Sequence, residues 1–207
     1  MDWRAGEFLV ALILAALLAP VGLLLAFAIR MDSPGPVLFG QRRVGRGGRP
    51  FTIWKFRTMR TGAAGSGPGV TADGDRRITR TGRWLRRLKL DELPQLWNVL
   101  AGDMSLVGPR PELPEYVGLY PEAIRRKVLS VRPGLTDLAT LTFIDESREL
   151  GQAADPERHY VESLLPRKLE LAVRYVDHRS FSLDLRILLA TLSSLLGWRW
   201  VPRVDGG

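Results

Sequence analysis

Two adjacent carboxylates, Asp91 and Glu92, stand in the stretch Leu88-Lys89-Leu90-Asp91-Glu92-Leu93-Pro94-Gln95-Leu96-Trp97-Asn98, just after Arg83, Arg86 and Arg87. Oxygens beside fixed cations are what phosphoryl chemistry needs: positive charge to neutralise phosphate, and an oxygen to attack phosphorus. Pro94 lacks an N–H and suits a first helical turn, where that donor has no partner anyway. Leu93, Leu96, Trp97 and Leu100 recur at helical spacing, and Gly102 is a suitable stop. The spacing therefore predicts carboxylates at the mouth of a short helix, where free N–H groups and the dipole favour phosphate. An isolated Asp-Glu pair is more often a plain surface cap, so the reading needs support from elsewhere.

That support comes from cations on stiff backbone. In Gly108-Pro109-Arg110-Pro111-Glu112 two prolines hold Arg110 on an extended loop, which suits bidentate binding of phosphate or carboxylate. Val131-Arg132-Pro133-Gly134-Leu135-Thr136 repeats the device with Arg132. Phe51-Thr52-Ile53-Trp54-Lys55-Phe56-Arg57-Thr58-Met59 alternates apolar and polar residues, so Lys55 and Arg57 project from one face of a strand. With Val37 to Val44 and the Gly-rich turn Gly45 to Pro50, it predicts a β-hairpin. Gly45-Arg46-Gly47-Gly48 has no following Gly-Lys-Ser/Thr and opens no helix, so it reads as the hairpin turn rather than a phosphate cradle.

The elements that must position these residues begin with a membrane segment. From Phe8 to Ile29 there is no charged residue, enough at helical rise to cross about 30 Å of hydrocarbon. Asp2, Arg4 and Glu7 give no basic start, which argues against a cleavable signal. Pro20 either kinks a spanning helix or breaks it into a helix–turn–helix wedge. Arg30, Arg42, Arg43, Arg46 and Arg49 follow the run and place that side in the cytoplasm.

Composition narrows the chemistry. The 207 residues carry a formal net charge of +8, which implies an anionic partner. Cys is absent, so thiol catalysis, disulfides and Cys-bound metals are excluded. His159 and His178 alone make a His-based zinc site a poor fit and read as structural; a hard, oxygen-bound Mg²⁺ fits better. Thr61 to Asp75, rich in Gly, Ala and Ser, reads as a lid or a plain linker. Arg76 to Lys89 reads as a basic helix face, solvated or lying on anionic headgroups. Leu164 to Val176 and Asp184 to Leu196 are predicted helices, with Pro166 in the first turn of one and Trp198-Arg199-Trp200 closing the other. That end suits a membrane–water interface or an exposed end of a core helix equally.

Lys55-Phe56-Arg57-Thr58-Met59, Asp91-Glu92-Leu93-Pro94-Gln95-Leu96, Gly102-Asp103-Met104-Ser105, Gly108-Pro109-Arg110-Pro111 and Arg132-Pro133-Gly134 occur in an order that resembles the bacterial sugar transferases. These are small monotopic phosphoglycosyl transferases that begin glycan assembly on polyprenyl phosphate. The resemblance covers nearly the whole chain. It implies Asp91 as nucleophile, Glu92 as second acid and a match for Arg86, the arginine five residues before the nucleophile; with Arg86, the cations Lys55, Arg57, Arg110 and Arg132 are the expected substrate-binding residues. It also implies Mg²⁺ at Asp91 and Glu92, a UDP-sugar donor and a polyprenyl (undecaprenyl) phosphate acceptor. The chain departs at Asp137-Leu138-Ala139-Thr140, where many members carry Gly, an aromatic, Ala and Gln, so no sugar preference transfers.

The expected fold is α+β and mostly helical, with a small β-hairpin. Residues 1–30 form a membrane helix, which the resemblance implies is re-entrant, broken near Pro20; residues 31–207 form a cytosolic or interfacial helical catalytic domain. The expected location is the cytoplasmic face of a bacterial inner membrane, with membrane lipids and downstream glycosyltransferases as further partners and no nucleic acid. Two readings compete. A membrane-tethered nucleic-acid binder would lose binding steeply with salt and ignore Asp91. A non-catalytic scaffold would keep its role without Asp91.

Overall fold

The charge-free run folds as one helix, α1 (Arg4–Asp32), in the computed structural model, which describes residues 4–62, 70–71 and 74–204. Pro20 lies inside α1 and the helix continues through it, so no turn forms where the sequence suggested a break. A proline ring removes one intrahelical hydrogen bond, and those on either side keep the helix intact.

One face of α1 is packed on the rest of the molecule along its whole length. Ala11 enters a core with Ile53, Val99, Leu106 and Ile187, while Leu25 and Ile29 pack with Phe56 and Leu85. Each end also has a polar tether. Glu7 is buried and accepts from the Leu106 N–H at 3.2 Å, and Asp32 accepts from the Thr81 N–H at 2.8 Å. The opposite face carries Leu17, Leu23, Leu24, Phe27 and Met31, each 68–73% exposed.

The hairpin forms as expected from β1 (Leu38–Val44) and β2 (Pro50–Phe56), antiparallel, with Phe39 opposite Lys55 and Arg43 opposite Phe51. Opposed residues share a face, so Gln41, Arg43 and Lys55 lie on one side. The free edge of β2 is closed by Asn98, fully buried, whose amide donates to Thr52 O at 2.7 Å and accepts from Trp54 N–H at 3.1 Å. Helix α2 (Arg80–Arg87) is capped by the Thr79 hydroxyl and docks through Gly82, where a Cβ would collide with the Thr58 backbone. A 3₁₀ turn, Leu90–Gln95, then leads into α3 (Leu96–Ala101), which Gly102 ends at φ 85°. The predicted helix and its stop are present, but Asp91 and Glu92 lie inside the 3₁₀ turn rather than before an α-helix.

A second small sheet pairs β3 (Ser105–Val107) in parallel with β4 (Gly134–Thr136). It brings the two proline turns together: Gly134 N–H donates to Pro109 O at 3.0 Å, and Gly108 and Gly134 approach so closely that neither has room for a side chain. Short helices α4 (Pro114–Gly118) and α5 (Glu122–Val128) lie between these strands in the chain, and α6 (Leu138–Thr142), α7 (Glu146–Gln152) and α8 (Pro156–His159) follow them. A π turn, Tyr160–Leu164, opens α9 (Leu165–His178), with Pro166 in its first turn as expected. In α10 (Phe181–Leu195), Leu183, Ile187 and Ala190 are buried, whereas Phe181, Leu185, Leu189 and Leu192 are exposed. The protein is mostly helical with small sheets, as expected. The lid or linker expected over residues 61–75 falls largely outside the described residues.

Candidate active site

Lys89 enters the carboxylate turn at φ 57°, the described non-glycine residue with a positive φ. Strain of that kind is held only where surrounding structure over-determines it. Here Leu85 on one side and Gln95 on the other, both fully buried, pin the turn. Asp91 is 7% exposed, and no hydrogen bond to its carboxylate is present among the described residues. Burial pushes its pKa up; Lys55, Arg86 and Lys89 pull it back only in part.

Glu92 is in the opposite condition. Lys55 donates to it at 3.0 Å, and Arg110 grips both its oxygens, Nη1 to Oε2 at 3.1 Å and Nη2 to Oε1. Burial works to raise its pKa, but Arg110 and then Lys55 hold it well below the usual carboxylate range. The pair thus divides into one organised carboxylate and one uncommitted one. That split follows from where the elements place the cations: Lys55 comes from the hairpin face and Arg110 from the proline loop, and both reach Glu92.

The remaining expected site residues part company. Arg86, on α2, donates to the Thr58 hydroxyl at 2.8 Å, and its charge acts on Asp91. Arg57 lies one residue beyond β2; its guanidinium donates to Ser33 O at 2.8 Å, to Pro34 O at 2.5 Å and to the Thr61 hydroxyl. The structure does not bring it to the carboxylates: it ties the turn after α1 to the hairpin. Arg132 makes no hydrogen bond or ion pair with Asp91 or Glu92, and its charge acts on Glu7. What its turn contributes is backbone, holding the Arg110 loop through Gly134. His159 meets Glu149 at 2.9 Å and His178 the Arg174 carbonyl at 3.0 Å, both away from the carboxylates.

Two positioning residues lie outside the expected set. Asp137 caps α6 through Thr140 N–H at 2.7 Å and also accepts from the Arg110 N–H at 3.2 Å. Glu112 is 9% exposed and engaged by Arg43 and Tyr160. Asp137 was visible as a departure from the family pattern, and an acid before a short helix is a cap signal.

Among the described residues, no group of three or more Asp, Glu or His side chains could hold a metal. With Glu92 occupied by cations, Asp91 is the available oxygen donor. That set fits Mg²⁺, which takes one or two carboxylates and fills its remaining positions with substrate phosphate and water. Beside the turn, an apolar cavity of about 240 Å³ lies between α1 and α3, bounded by Ala15, Leu18, Gly22, Phe56, Leu93 and Trp97. It exceeds the roughly 150 Å³ that accepts benzene in an engineered core.

The model of the bacterial sugar transferase family matches residues 3–197. The chain is 42% identical over 204 residues to the UDP-glucose:undecaprenyl-phosphate glucose-1-phosphate transferase of Caulobacter vibrioides, covering 93% of this chain and 69% of that protein. It is 38% identical over 195 residues to the UDP-N-acetylgalactosamine-undecaprenyl-phosphate N-acetylgalactosaminephosphotransferase of Aeromonas hydrophila, covering 93% and 43%. Against the UDP-glucose:undecaprenyl-phosphate glucose-1-phosphate transferase of Escherichia coli K12 the identity is 34% over 191 residues, covering 91% and 39%. The chain thus spans less than half the length of the last two.

Proposed function

The chain belongs to the bacterial sugar transferase family, and on that premise we propose that it transfers a sugar 1-phosphate from a UDP-sugar to a polyprenyl phosphate such as undecaprenyl phosphate. The observation that carries this reading is the division within the carboxylate pair: Glu92 locked by Arg110 and Lys55, Asp91 buried beside them with no hydrogen bond among the described residues. One oxygen of Asp91 attacks the sugar-linked phosphorus. An O–P bond forms, and the bond from that phosphorus to the bridging oxygen breaks, its electron pair leaving with UMP. A phosphate oxygen of the polyprenyl phosphate then attacks the same phosphorus, giving a polyprenyl diphosphosugar and restoring the Asp91 carboxylate. Arg110, Lys55 and Arg86 supply the positive charge that the diphosphate and the departing UMP require. Mg²⁺ held by Asp91 would add charge neutralisation of the same diphosphate. The relatives' names differ in their sugar, so the donor is assigned only as a UDP-sugar, and the product is a substrate for later glycosyltransferases.

The placement of α1 supports a membrane-bound protein with its site on one face of the bilayer, and the arginines that follow the apolar run favour the cytoplasmic one. From Glu7 to Asp32 is 25 residues, roughly 38 Å of helix at 1.5 Å per residue. That exceeds a hydrocarbon core of about 30 Å, yet both ends are tethered to one body. A spanning helix has to carry one end away from the domain, so the packing favours both ends on one side, with α1 lying along that face of the bilayer and its exposed leucine face in lipid. The cavity between α1 and α3 then offers the acceptor's isoprenoid units an apolar seat that reaches the carboxylate turn at Leu93 and Pro94.

The deciding experiment incubates purified protein with a panel of UDP-sugars and Mg²⁺, first without and then with undecaprenyl phosphate. UMP and a phosphosugar adduct on Asp91 are expected in the first stage, and loss of the adduct to lipid in the second. Turnover with no adduct at any time on the quenched protein would remove the covalent route. For the topology, Ala5→Cys should resist an impermeant maleimide in intact cells and react once they are opened. Labelling in intact cells, with a periplasmic control site reacting normally, means a span.

A further inference from the structure

A second buried ionic cluster lies on the far side of the Arg110 loop and takes no part in the chemistry above. Its centre is Glu112, which follows Pro111. Arg43 reaches across from β1 and forks onto the loop, donating to Pro111 O at 3.1 Å and to Glu112 Oε2 at 3.3 Å. Val44 N–H donates to Glu112 O at 3.1 Å. Tyr160, 2% exposed and set in the π turn, donates its hydroxyl to Glu112 Oε1. Lys168 lies 3.7 Å from Glu112, 3.3 Å from the Tyr160 hydroxyl and 3.1 Å from Glu146.

Stability alone is a poor reason for this arrangement. Removing several charges from water costs about as much as their mutual attraction returns, and an apolar replacement is often neutral or better. What a hydrogen-bonded polar network does supply is one geometry. The geometry in question is that of the Arg110 backbone. On its N-terminal side the loop is fixed by Gly134 N–H to Pro109 O at 3.0 Å and by Arg110 N–H to Asp137 at 3.2 Å. On its C-terminal side the fixing groups are Arg43 and Glu112, with Tyr160 behind them. π turns recur where a side chain must be aimed for function, and this one aims the Tyr160 hydroxyl.

We infer that Glu112, clamped by Arg43 and Tyr160, is a positioning residue that holds Arg110 in register with Glu92 and hence with the donor diphosphate. The inference rests on the proposed transfer reaction for its kinetic consequence, and on geometry alone for its structural one.

A double-mutant cycle read by the rate of UMP release separates positioning from mere stability. Glu112→Ala should slow UMP release by roughly tenfold to a hundredfold, the scale of a catalytic group displaced by about 1 Å. In an Arg110→Ala background, followed over hours by adduct mass, the same change should cost less than about twofold. Equal losses in both backgrounds would overturn the inference. Tyr160→Phe, which deletes one hydroxyl and keeps the ring, runs the same cycle if Glu112→Ala does not fold. Hydrogen exchange of the Val44 and Arg110 amides supplies a readout independent of turnover. Both should exchange faster in Tyr160→Phe at matched global stability, and unchanged protection would overturn the inference. If the parent releases no UMP from any UDP-sugar, the proposed function fails, while the exchange result still decides whether the clamp exists.

Discussion

Asp91 and Glu112 are both buried acids with cations near them, and their surroundings treat them in opposite ways. Glu112 has a tyrosine hydroxyl, a guanidinium and an ammonium around it, and Lys168 and Arg43 keep its pKa low against the pull of burial. Asp91 feels Lys55 and Arg86 only through space, and burial wins. A charge left in the second condition is costly to fold around, so it persists where a reaction uses it; a charge in the first condition is scaffold. Glu92 shows that the boundary runs between adjacent residues, since it is satisfied like Glu112 while touching the site.

The largest test of that contrast is Asp91→Asn, which keeps the shape and removes the oxyanion. Adduct and UMP release should fall below detection while the protein stays folded; full turnover by the folded variant would make Asp91 scaffold after all. Next is Arg110→Lys. A single ammonium cannot span both oxygens of Glu92, so donor turnover should drop by about a hundredfold with charge conserved. Parent-like rates at an unchanged melting temperature would reduce Arg110 to a loop support.

The smallest effects concern protons. Because burial raises the folded-state pKa of Asp91, its ionisation opposes folding at neutral pH, and that penalty is relieved as pH falls through the raised value. Asp91→Asn should therefore raise Tm at pH 7, by about 2–4 °C if the penalty is near 1 kcal/mol. Glu112 has the other sign. Its depressed pKa gives stability that is present above the ordinary glutamate range and lost as pH falls through the folded value, so Glu112→Gln should lower Tm at pH 7 and matter less in acid. Melting curves of the two variants from pH 4 to 8 check both signs. The acid limb of UMP release should also lie above the ordinary aspartate pKa of about 4.

Local patterns carried much of this architecture. Alternation disclosed the hairpin, apolar spacing and Pro166 disclosed α9, and Gly102 stopped α3 where expected. The carboxylate pair and Arg110 were legible because prolines fix backbone in a way that side-chain type alone does not. Arg57 shows where strand parity fails. It shares Lys55's alternation, but β2 ends at Phe56, and one residue later the chain turns that guanidinium toward Ser33 and Pro34. Helices α4 to α8 are too short for a 3.6-residue period to emerge. The Arg43–Glu112–Tyr160 clamp joins residues 69 and 48 positions apart in sequence, and only the folded sheet brings them together.

The inner face of α1 also sets a clock. Ala11 completes a core with Leu183, Ile187 and Ala190, which the ribosome makes long after it. From Ala11 to Ile187 is 176 residues, so at about 5–20 residues per second roughly 10–35 s pass before the partner helix exists. For that interval the face of α1 that Leu183, Ile187 and Ala190 complete is left open, on a helix without charge from Phe8 to Ile29. Lipid is the natural place to wait, which makes membrane insertion an early step in assembly and domain docking a late one. A ribosome stalled before Phe181 should leave α1 anchored, with its core around Ala11 lacking Leu183, Ile187 and Ala190.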